Sequence, residues 1–324
     1  MSSGKISVSV VIPAYNAAPF LSNAIASLQA QTAEDWEAII IDDASTDDTL
    51  TIARSLEAAD PRVRVLSRAE NGGPAAARNM GFAGAQGEWI ALLDADDVYL
   101  PDRLAVMVAE ARRLDADLLA DNQWLRDPSL GRIVRSGLPR SAPVRRIDLA
   151  TFYLESLSAS GFDLGTLKPL FRTASLRRVS AQYQPFRYGE DFAFVADLLA
   201  QGARFWLIPQ PYYIYTLTVS ELDGQRAATS RTDSNYDLLL LGSNAVLERH
   251  GERLTPRERA AVKKRAFFIV EYKSALVFKD QLRKQEYAAM LSTLVRHPII
   301  IVMIFRGLRW RLRVTLPDQR FMPS

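Results

Sequence analysis

Short apolar runs and helical patterns alternate along the first 125 residues. The apolar runs are rich in β-branched residues and end at polar or helix-breaking residues, as buried parallel strands do. They cover residues 6–13, 36–41, 63–66, 89–93 and 116–120. Amphipathic helical patterns fill residues 19–30, 49–59, 74–85 and 101–114. This order predicts an α/β fold, with a mostly parallel twisted sheet flanked by helices on both faces.

The pattern changes after residue 125. Residues 122–165 contain several Pro and Gly residues and predict loops. Residues 164–215 are mixed and include Gly189-Glu190-Asp191 directly before a helical pattern at 192–199. Beyond about residue 225, charged helical patterns dominate. We therefore predict one unit over residues 1–220, followed by a helical C-terminal region over residues 221–324.

Charge is distributed unevenly along the chain. Residues 1–125 contain 9 Lys and Arg against 19 Asp and Glu, whereas residues 251–324 contain 16 against 6. An acidic first part suits cation chemistry, and a basic end suits an anionic surface. The chain has no Cys and only two His, which excludes Cys-based zinc sites and argues against His-based catalysis. The first residues lack the pattern of a signal peptide, so we expect a cytoplasmic protein.

Three carboxylates follow the fourth predicted strand, at Asp94, Asp96 and Asp97. Carboxylates this close repel one another unless a cation neutralises them. Oxygen ligands favour Mg²⁺ or Mn²⁺, whose remaining positions a diphosphate can fill. The alternative is a polar turn that caps the next helix. We favour the metal interpretation because the motif is at a strand end, where ligands bind in such sheets.

Other polar groups are predicted at the same edge of the sheet. Asp42 and Asp43 follow the second strand, where a carboxylate could accept the ring N–H of a nucleotide base, and Tyr15 offers an aromatic face. Their alternatives are a helix cap and a half-buried aromatic residue. Arg78 could form bidentate bonds to a diphosphate, or it could make a surface ion pair.

A carboxylate pair begins the helix predicted after Gly189. A group transfer to a hydroxyl requires a base, and neither His is near a motif, so Glu190 and Asp191 are candidates. Acidic residues that only cap the helix would give the same pattern. The residues alone leave both interpretations open.

Together these clusters resemble the inverting, nucleotide-sugar-dependent glycosyltransferases of family two, which have the GT-A fold, and especially the bacterial exopolysaccharide enzymes. The matching strings are at 10–16 (VVIPAYN), 41–47 (IDDASTD), 71–73 (NGG) with 77–79 (ARN), 93–97 (LDADD) and 189–191 (GED). The resemblance implies a UDP-sugar donor and a lipid-linked saccharide acceptor. It also implies that Asp43 binds uracil beside Tyr15, and that Asp191 is the base of a single inverting displacement.

The resemblance extends these roles to a set of candidate residues. Nucleotide-sugar binding is assigned to Pro13, Tyr15, Asn16, Asp42, Asp43, Arg78, Asp94 and Asp96, the divalent metal to Asp96 and Asp97, and catalysis to Asp191 and Glu190. Residues 1–125 would then form the nucleotide-sugar-binding half and residues 126–220 the acceptor and catalytic half of a GT-A domain. One departure is residues 213–220, which lack the His or Arg that many relatives have there.

The C-terminal region ends in an apolar run followed by basic residues. Residues 299–305 (IIIVMIF) are too few to span a bilayer, which takes about 20 residues. Arg306, Arg309, Arg311 and Arg313 alternate with Leu308, Trp310 and Leu312. We expect peripheral binding to the inner face of the cytoplasmic membrane. A helix docked on the core is the alternative.

Other functions fit the sequence less well. A dinucleotide-dependent dehydrogenase would need Gly-x-Gly-x-x-Gly after the first strand, where this chain has Pro13-Ala14-Tyr15-Asn16. A nucleotidyltransferase would need a Gly-rich, Arg-containing loop there. Nucleic-acid binding would explain the basic C-terminal region, but the acidic motif in the first part of the chain does not suit it. A catalytically inactive, nucleotide-sugar-binding partner in a polysaccharide assembly complex stays as the second hypothesis.

Overall fold

The computed structural model describes residues 6–156, 163–186, 188–217 and 233–301. Its strands are β1 (Val8–Ala14), β2 (Trp36–Asp42), β3 (Val63–Ser67), β4 (Trp89–Leu92), β5 (Val98–Tyr99), β6 (Leu118–Asp127), β7 (Arg132–Ser136), β8 (Arg145–Ile147), β9 (Leu170–Arg172) and β10 (Phe205–Thr216). The helices are α1 (Leu21–Gln29), α2 (Thr49–Ala59), α3 (Gly73–Gly84), α4 (Arg103–Arg113), α5 (Leu149–Glu155), α6 (Thr173–Arg178), α7 (Glu190–Ala200), α8 (Asp233–His250), α9 (Pro256–Arg283) and α10 (Tyr287–Arg296).

All of these strands form one mixed sheet in the order β3-β2-β1-β4-β9-β6-β10-β5, with β7 beside β6 and β8 beside β10. The first four strands in this order are parallel, and β6 and β10 are parallel to each other. Strand β9 is antiparallel to both β4 and β6, and so joins the two parallel groups. The predicted α/β fold with a mostly parallel sheet is confirmed.

The central strands are apolar on both faces because helices cover both faces. Val10, Ile12 and Ile40 belong to one buried cluster, whereas Val11 and Ile39 belong to the other. Alternate residues of a strand point to opposite faces, so this division shows a sheet with a core on each side. The near-continuous apolar runs in the sequence have this cause.

The loops marked by the Pro and Gly residues at 128, 131, 137, 139 and 143 are present, but the stretch contains more regular structure than its sequence pattern indicates. Strand β6 continues to Asp127 and forms a hairpin with β7, and β8 and α5 follow. Polar residues in β6 concealed the strand from the apolar pattern. Asn122, for example, is fully buried, and its Nδ2 donates to the carbonyl oxygens of Leu138 and Pro209. Hydrogen bonds of this kind allow polar side chains in a core.

Helices α8 and α9 pack against the sheet domain rather than apart from it. The Tyr153 hydroxyl of α5 donates to the Ser243 carbonyl of α8 over 2.9 Å. The Arg265 guanidinium of α9 lies 3.3 Å from the centre of the Phe192 ring of α7. Within the described part of the chain, no helix has the length and apolar content needed to cross a membrane. The basic segment at 306–313 lies outside the described residues.

The close contact of α3 with the sheet generates a stability prediction. A Cβ on Gly81 would lie 2.4 Å from Val11 Cγ1 and 2.8 Å from Ile41 Cδ1. We expect Gly81→Ala to lower the free energy of unfolding by about 1–3 kcal/mol, because the core would be overpacked. Gly84→Ala is the matched control, since its Cβ would meet atoms at 3.6 Å or more, and it should change stability by less than about 1 kcal/mol. Urea unfolding measures both, and equal effects would contradict the packing explanation.

Candidate functional site

A cleft of about 570 Å³ opens at the carboxyl ends of β1, β2 and β4. Nine of the eleven candidate residues line it: Pro13, Tyr15, Asn16, Asp43, Arg78, Asp94, Asp96, Glu190 and Asp191. Asp42 and Asp97 do not. The matched registers of parallel β1, β2 and β4 bring these separate sequence motifs to one edge of the sheet.

Asn16 joins the loops that follow β1 and β2. Its Oδ1 accepts a hydrogen bond from the backbone N–H of Thr46 over 2.8 Å, and its own N–H donates to Ser45 Oγ over 3.1 Å. The backbone of Asn16 is left-handed, with φ 49°, a conformation that Asn tolerates better than most residues. Asp48, the N-cap residue of α2, makes no capping bond through its side chain, whereas Asp47 Oδ1 accepts a hydrogen bond from the backbone N–H of Thr49 over 3.0 Å.

Asp43 holds the loop that leads into α3. Its Oδ1 and Oδ2 accept hydrogen bonds from the backbone N–H groups of Gly72 and Gly73, at 3.1 and 2.8 Å. Arg68 Nε lies 2.7 Å from Asp43 Oδ1. Gly73 has φ 78°, so a residue without Cβ suits this turn. The two sequence motifs that contain Asp43 and Gly72-Gly73 therefore form one unit.

Asp42 and Asp97 are buried away from the cleft, in contrast to their predicted roles. Asp42 Oδ2 accepts a hydrogen bond from the backbone N–H of Ser45 over 3.4 Å. Asp97 accepts one from the Tyr213 hydroxyl over 2.6 Å and one from the Thr216 N–H over 2.7 Å. Burial, with the nearby charges of Asp94 and Asp96, raises the pKa of Asp97 well above its usual range. In this arrangement Asp97 fastens the acidic loop to β10.

The oxygen atoms of the acidic loop suit a hard divalent ion whose other ligands come from a bound substrate. Among the described residues, no three His, Cys, Asp or Glu side chains are grouped to hold a metal by themselves. Asp96 lines the cleft, and its carbonyl oxygen is fixed by the Thr216 hydroxyl over 2.7 Å. Mg²⁺ and Mn²⁺ are commonly bound by one or two carboxylates, with phosphate oxygens and water as the other ligands. The acidic loop fits such an ion.

Four side chains of alternating charge form a closed ring at the floor of the cleft, the Arg78–Asp94–Lys168–Asp191 ring. Arg78 contacts Asp94 at 3.1 Å and Asp191 at 3.0 Å, and Lys168 Nζ contacts the same two carboxylates at 2.8 and 2.6 Å. Glu190 adds a further carboxylate, 2.8 Å from Arg78. The side chains of Arg78 and Lys168 are 4% and 5% exposed, so these are buried ion pairs and not the surface pair that was the alternative for Arg78.

The ring changes the proton affinity of its members. Burial alone would raise the pKa of Asp94, but Lys168 and Arg78 lower it to about 2. Burial would likewise lower the pKa values of Lys168 and Arg78, yet the surrounding carboxylates raise both. Asp94 is therefore ionised and both cations are charged at neutral pH.

The start of α7 brings Glu190 and Asp191 to the cleft. Gly189, which precedes the helix, has φ 74°, a left-handed conformation that Gly adopts readily. Asp191 Oδ1 accepts a hydrogen bond from the Tyr183 hydroxyl over 3.0 Å. The Tyr183 ring stacks on Phe194, one turn further along α7, with 4.1 Å between ring centres. The carboxylate is thus held by both charge and packing.

Comparison with known proteins agrees with this geometry. Residues 9–172, about half of the chain, match the family described as Glycosyl transferase family 2. The chain belongs to this family. It is 32% identical to the succinoglycan biosynthesis protein ExoO of Rhizobium meliloti, over 94% of this chain and 86% of that protein. As a family member it is a glycosyltransferase, and the resemblance inferred from its motifs is confirmed.

Solved structures have the same fold. The crystal structure of S. aureus TarS 1-349 in complex with UDP-GlcNAc aligns with a TM-score of 0.62 at 19% identity, covering 93% of this chain and 92% of that one. Mannosyltransferase PcManGT from Pyrobaculum calidifontis, in complex with GDP-Man and Mn²⁺, gives a TM-score of 0.60 at 17% identity, covering 96% and 81%. These matches establish the predicted GT-A fold for this glycosyltransferase.

Two residues of the cleft were not found by the sequence analysis. Lys168 lies between apolar residues just before β9, outside every motif, and only a charge within an apolar run marked it. Phe20 lines the cleft with Tyr15, and the two rings are 46% and 51% exposed. Phe20 had been counted as part of an amphipathic helical pattern, which gave no sign of an open aromatic surface.

The contacts of Asp43 predict that its substitution destabilises the loop that leads into α3. Asp43→Ala removes the acceptor of two backbone N–H groups, so we expect a loss of about 2–3 kcal/mol in stability. Hydrogen exchange at the amides of Gly72 and Gly73 should become faster. Asp48→Ala, at an exposed site without a capping bond, is the control and should alter stability by less than about 0.5 kcal/mol. Unchanged amide protection in Asp43→Ala would show that Asp43 does not hold the loop.

Proposed function

We propose that the protein is an inverting glycosyltransferase that moves a sugar from a UDP-sugar to a saccharide acceptor, in the synthesis of a bacterial exopolysaccharide or surface polysaccharide. The observation that carries the proposal is the shared cleft of Asp94, Asp96 and Asp191. A donor-binding acidic loop and a candidate base within one cleft are what a single displacement requires. The relation to ExoO, whose name gives succinoglycan biosynthesis, supports the type of pathway.

Residues of the first 125 positions would bind the donor. Tyr15 would stack near the uracil ring, and Asp43 would accept its N–H, since both line the cleft. Pro13 and Asn16 shape the same wall. Arg78 would contact the diphosphate through its guanidinium. Asp96 would hold Mn²⁺ or Mg²⁺, an ion that stabilises the charge developing on the leaving diphosphate.

Asp191 would act as the base from the half of the domain formed by residues 126–220. As the acceptor oxygen attacks the anomeric carbon, Asp191 takes the hydroxyl proton, and the bond to the diphosphate breaks on the opposite side. Attack from the side opposite the leaving group inverts the anomeric centre. Glu190 lies next to it and contacts Arg78, so we assign Glu190 to the support of that cation.

Two variants test binding and chemistry separately. We expect Asp191→Asn to reduce transfer at least about 100-fold, because the base is lost, while UDP binding in the presence of Mn²⁺ persists. Asp96→Ala should abolish metal-dependent UDP binding, as should EDTA. Calorimetric titration of UDP and a transfer assay over nucleotide-sugars measure these effects.

Glu190→Gln is the matched control for the base, one residue away on the same helix. It should retain more transfer than Asp191→Asn. Full turnover by Asp191→Asn would move the base elsewhere. UDP binding by an otherwise inert wild-type protein, with every donor tried, would favour the inactive binding partner instead.

We further propose peripheral association of the C-terminal region, residues 221–324, with a membrane that carries a lipid-linked acceptor. Helix α10 has no buried residues. Its residues Tyr287, Leu291 and Val295 recur every fourth position and are 61%, 63% and 74% exposed. An apolar stripe followed by the basic segment at 306–313 is typical of a helix that lies in a membrane interface.

Vesicle flotation tests the membrane proposal. We expect a variant with Leu291→Glu and Val295→Glu to bind vesicles of anionic lipid at least about tenfold more weakly, because two apolar side chains no longer enter the interface. Leu130→Glu, which changes a leucine of 56% exposure between β6 and β7, should bind as the wild type does. Equal binding by all three proteins would remove α10 from the proposed membrane surface.

A further inference from the structure

Lys168 places one buried ammonium group between two carboxylates that belong to different parts of the proposed reaction. Its Nζ lies 2.6 Å from Asp191 Oδ2 and 2.8 Å from Asp94 Oδ2. Asp94 belongs to the acidic loop after β4, and Asp191 is the proposed base on α7. A single side chain thus links the donor-binding loop to the base.

The backbone of Lys168 is itself fixed by a buried ion pair. Its carbonyl oxygen accepts a hydrogen bond from Arg103 Nη2 over 2.7 Å. Arg103 also donates to both carboxylate oxygens of Asp121, at 2.8 and 3.2 Å, and both side chains are at most 1% exposed. Such a pair, desolvated and bidentate, has little freedom to move. The ammonium of Lys168 therefore extends from a rigid backbone position.

The contacts of Asp191 leave a defined place for an acceptor hydroxyl. A carboxylate has about four acceptor positions on its two oxygens. Lys168 occupies one position on Oδ2, while Tyr183 and Arg78 approach Oδ1. The remaining position is on the oxygen that Lys168 holds. Lys168 thus holds the oxygen that carries this lone pair.

We propose that Lys168 is a positioning residue that acts through Asp191 and aims its free lone pair at the acceptor hydroxyl. This inference rests on the proposed role of Asp191 as the base. Displacement of a reacting group by about 1 Å can lower a rate by about 100-fold. Without the ammonium, Asp191 keeps Tyr183 and Arg78 on Oδ1, but nothing among these contacts orients Oδ2.

A double-mutant cycle on the whole chain tests the proposal. We expect Lys168→Met to lower kcat for transfer by about 30- to 100-fold, with the donor KM changed by less than about threefold, since the effect is on the chemical step. In an Asp191→Asn background, Lys168→Met should change the residual rate by less than about twofold, because a residue that acts through Asp191 has nothing left to position.

The controls separate positioning from folding and from donor binding. The Lys168→Met, Asp191→Asn double variant removes one charge of each sign from the ring, so it keeps the balance between Arg78 and Asp94 even where the single Lys168 variant is unstable. Lys284→Met, at an exposed ion pair with Asp280, should transfer sugar as the wild type does. Thermal unfolding of each variant monitors the fold.

Three outcomes would overturn the proposal. Fully additive effects of the two substitutions would mean that Lys168 acts independently of Asp191. A large rise in donor KM at unchanged kcat would make Lys168 a donor contact. Full turnover by Asp191→Asn would remove the base itself, and with it the proposed mechanism, whereas the first two outcomes leave Asp191 as the base.

Discussion

The acidic cleft depends on two buried cations that lie among its carboxylates. Arg78 and Lys168 each contact both Asp94 and Asp191. Desolvated carboxylates at such distances would otherwise repel one another or take up protons. Breaking a buried pair leaves an uncompensated charge, so the loss of any member of the ring would leave its neighbours with one fewer partner of opposite charge. The same ion pairs consequently determine both the shape of the cleft floor and its charge.

The same ring connects four elements that are far apart in the sequence. Arg78 is on α3 and Asp94 follows β4, while Lys168 precedes β9 and Asp191 begins α7. Strand β9 pairs with both β4 and β6, so the sheet holds these elements in register. The backbone fixes the positions of these elements, and the ion pairs of the ring then fix the orientations of the four side chains. A change at Asp94 can therefore reach Asp191, the proposed base, through one intervening side chain, which is either Lys168 or Arg78.

Patterns that repeat could be predicted from the sequence, whereas single contacts could not. The apolar period gave β1–β4 with their helices, and the rule that parallel strands end at one edge brought Asp43, Asp94 and Tyr15 together. The apolar run at 116–120 predicts the start of β6, whereas its buried polar continuation to Asp127 breaks the apolar pattern. Asp42 and Asp97 have the same chemistry as their neighbours Asp43 and Asp96 and differ from them in lying away from the cleft. Lys168 belongs to no motif, because its contacts with Asp94 and Asp191, and that of its carbonyl oxygen with Arg103, join residues far apart in the sequence.

The charges that line the cleft also constrain how a donor can enter. Among the described residues, five carboxylates line it, those of Asp43, Asp94, Asp96, Glu190 and Asp191, together with the cations Arg78 and Lys168, and Arg68 pairs with Asp43 beside it. A diphosphate that entered alone would add negative charge to a site with an excess of it, at a cost that grows as water is excluded. A divalent ion offsets that charge and uses carboxylate and phosphate oxygens together. The acidity of the cleft is therefore a physical reason to propose that a divalent cation accompanies the donor.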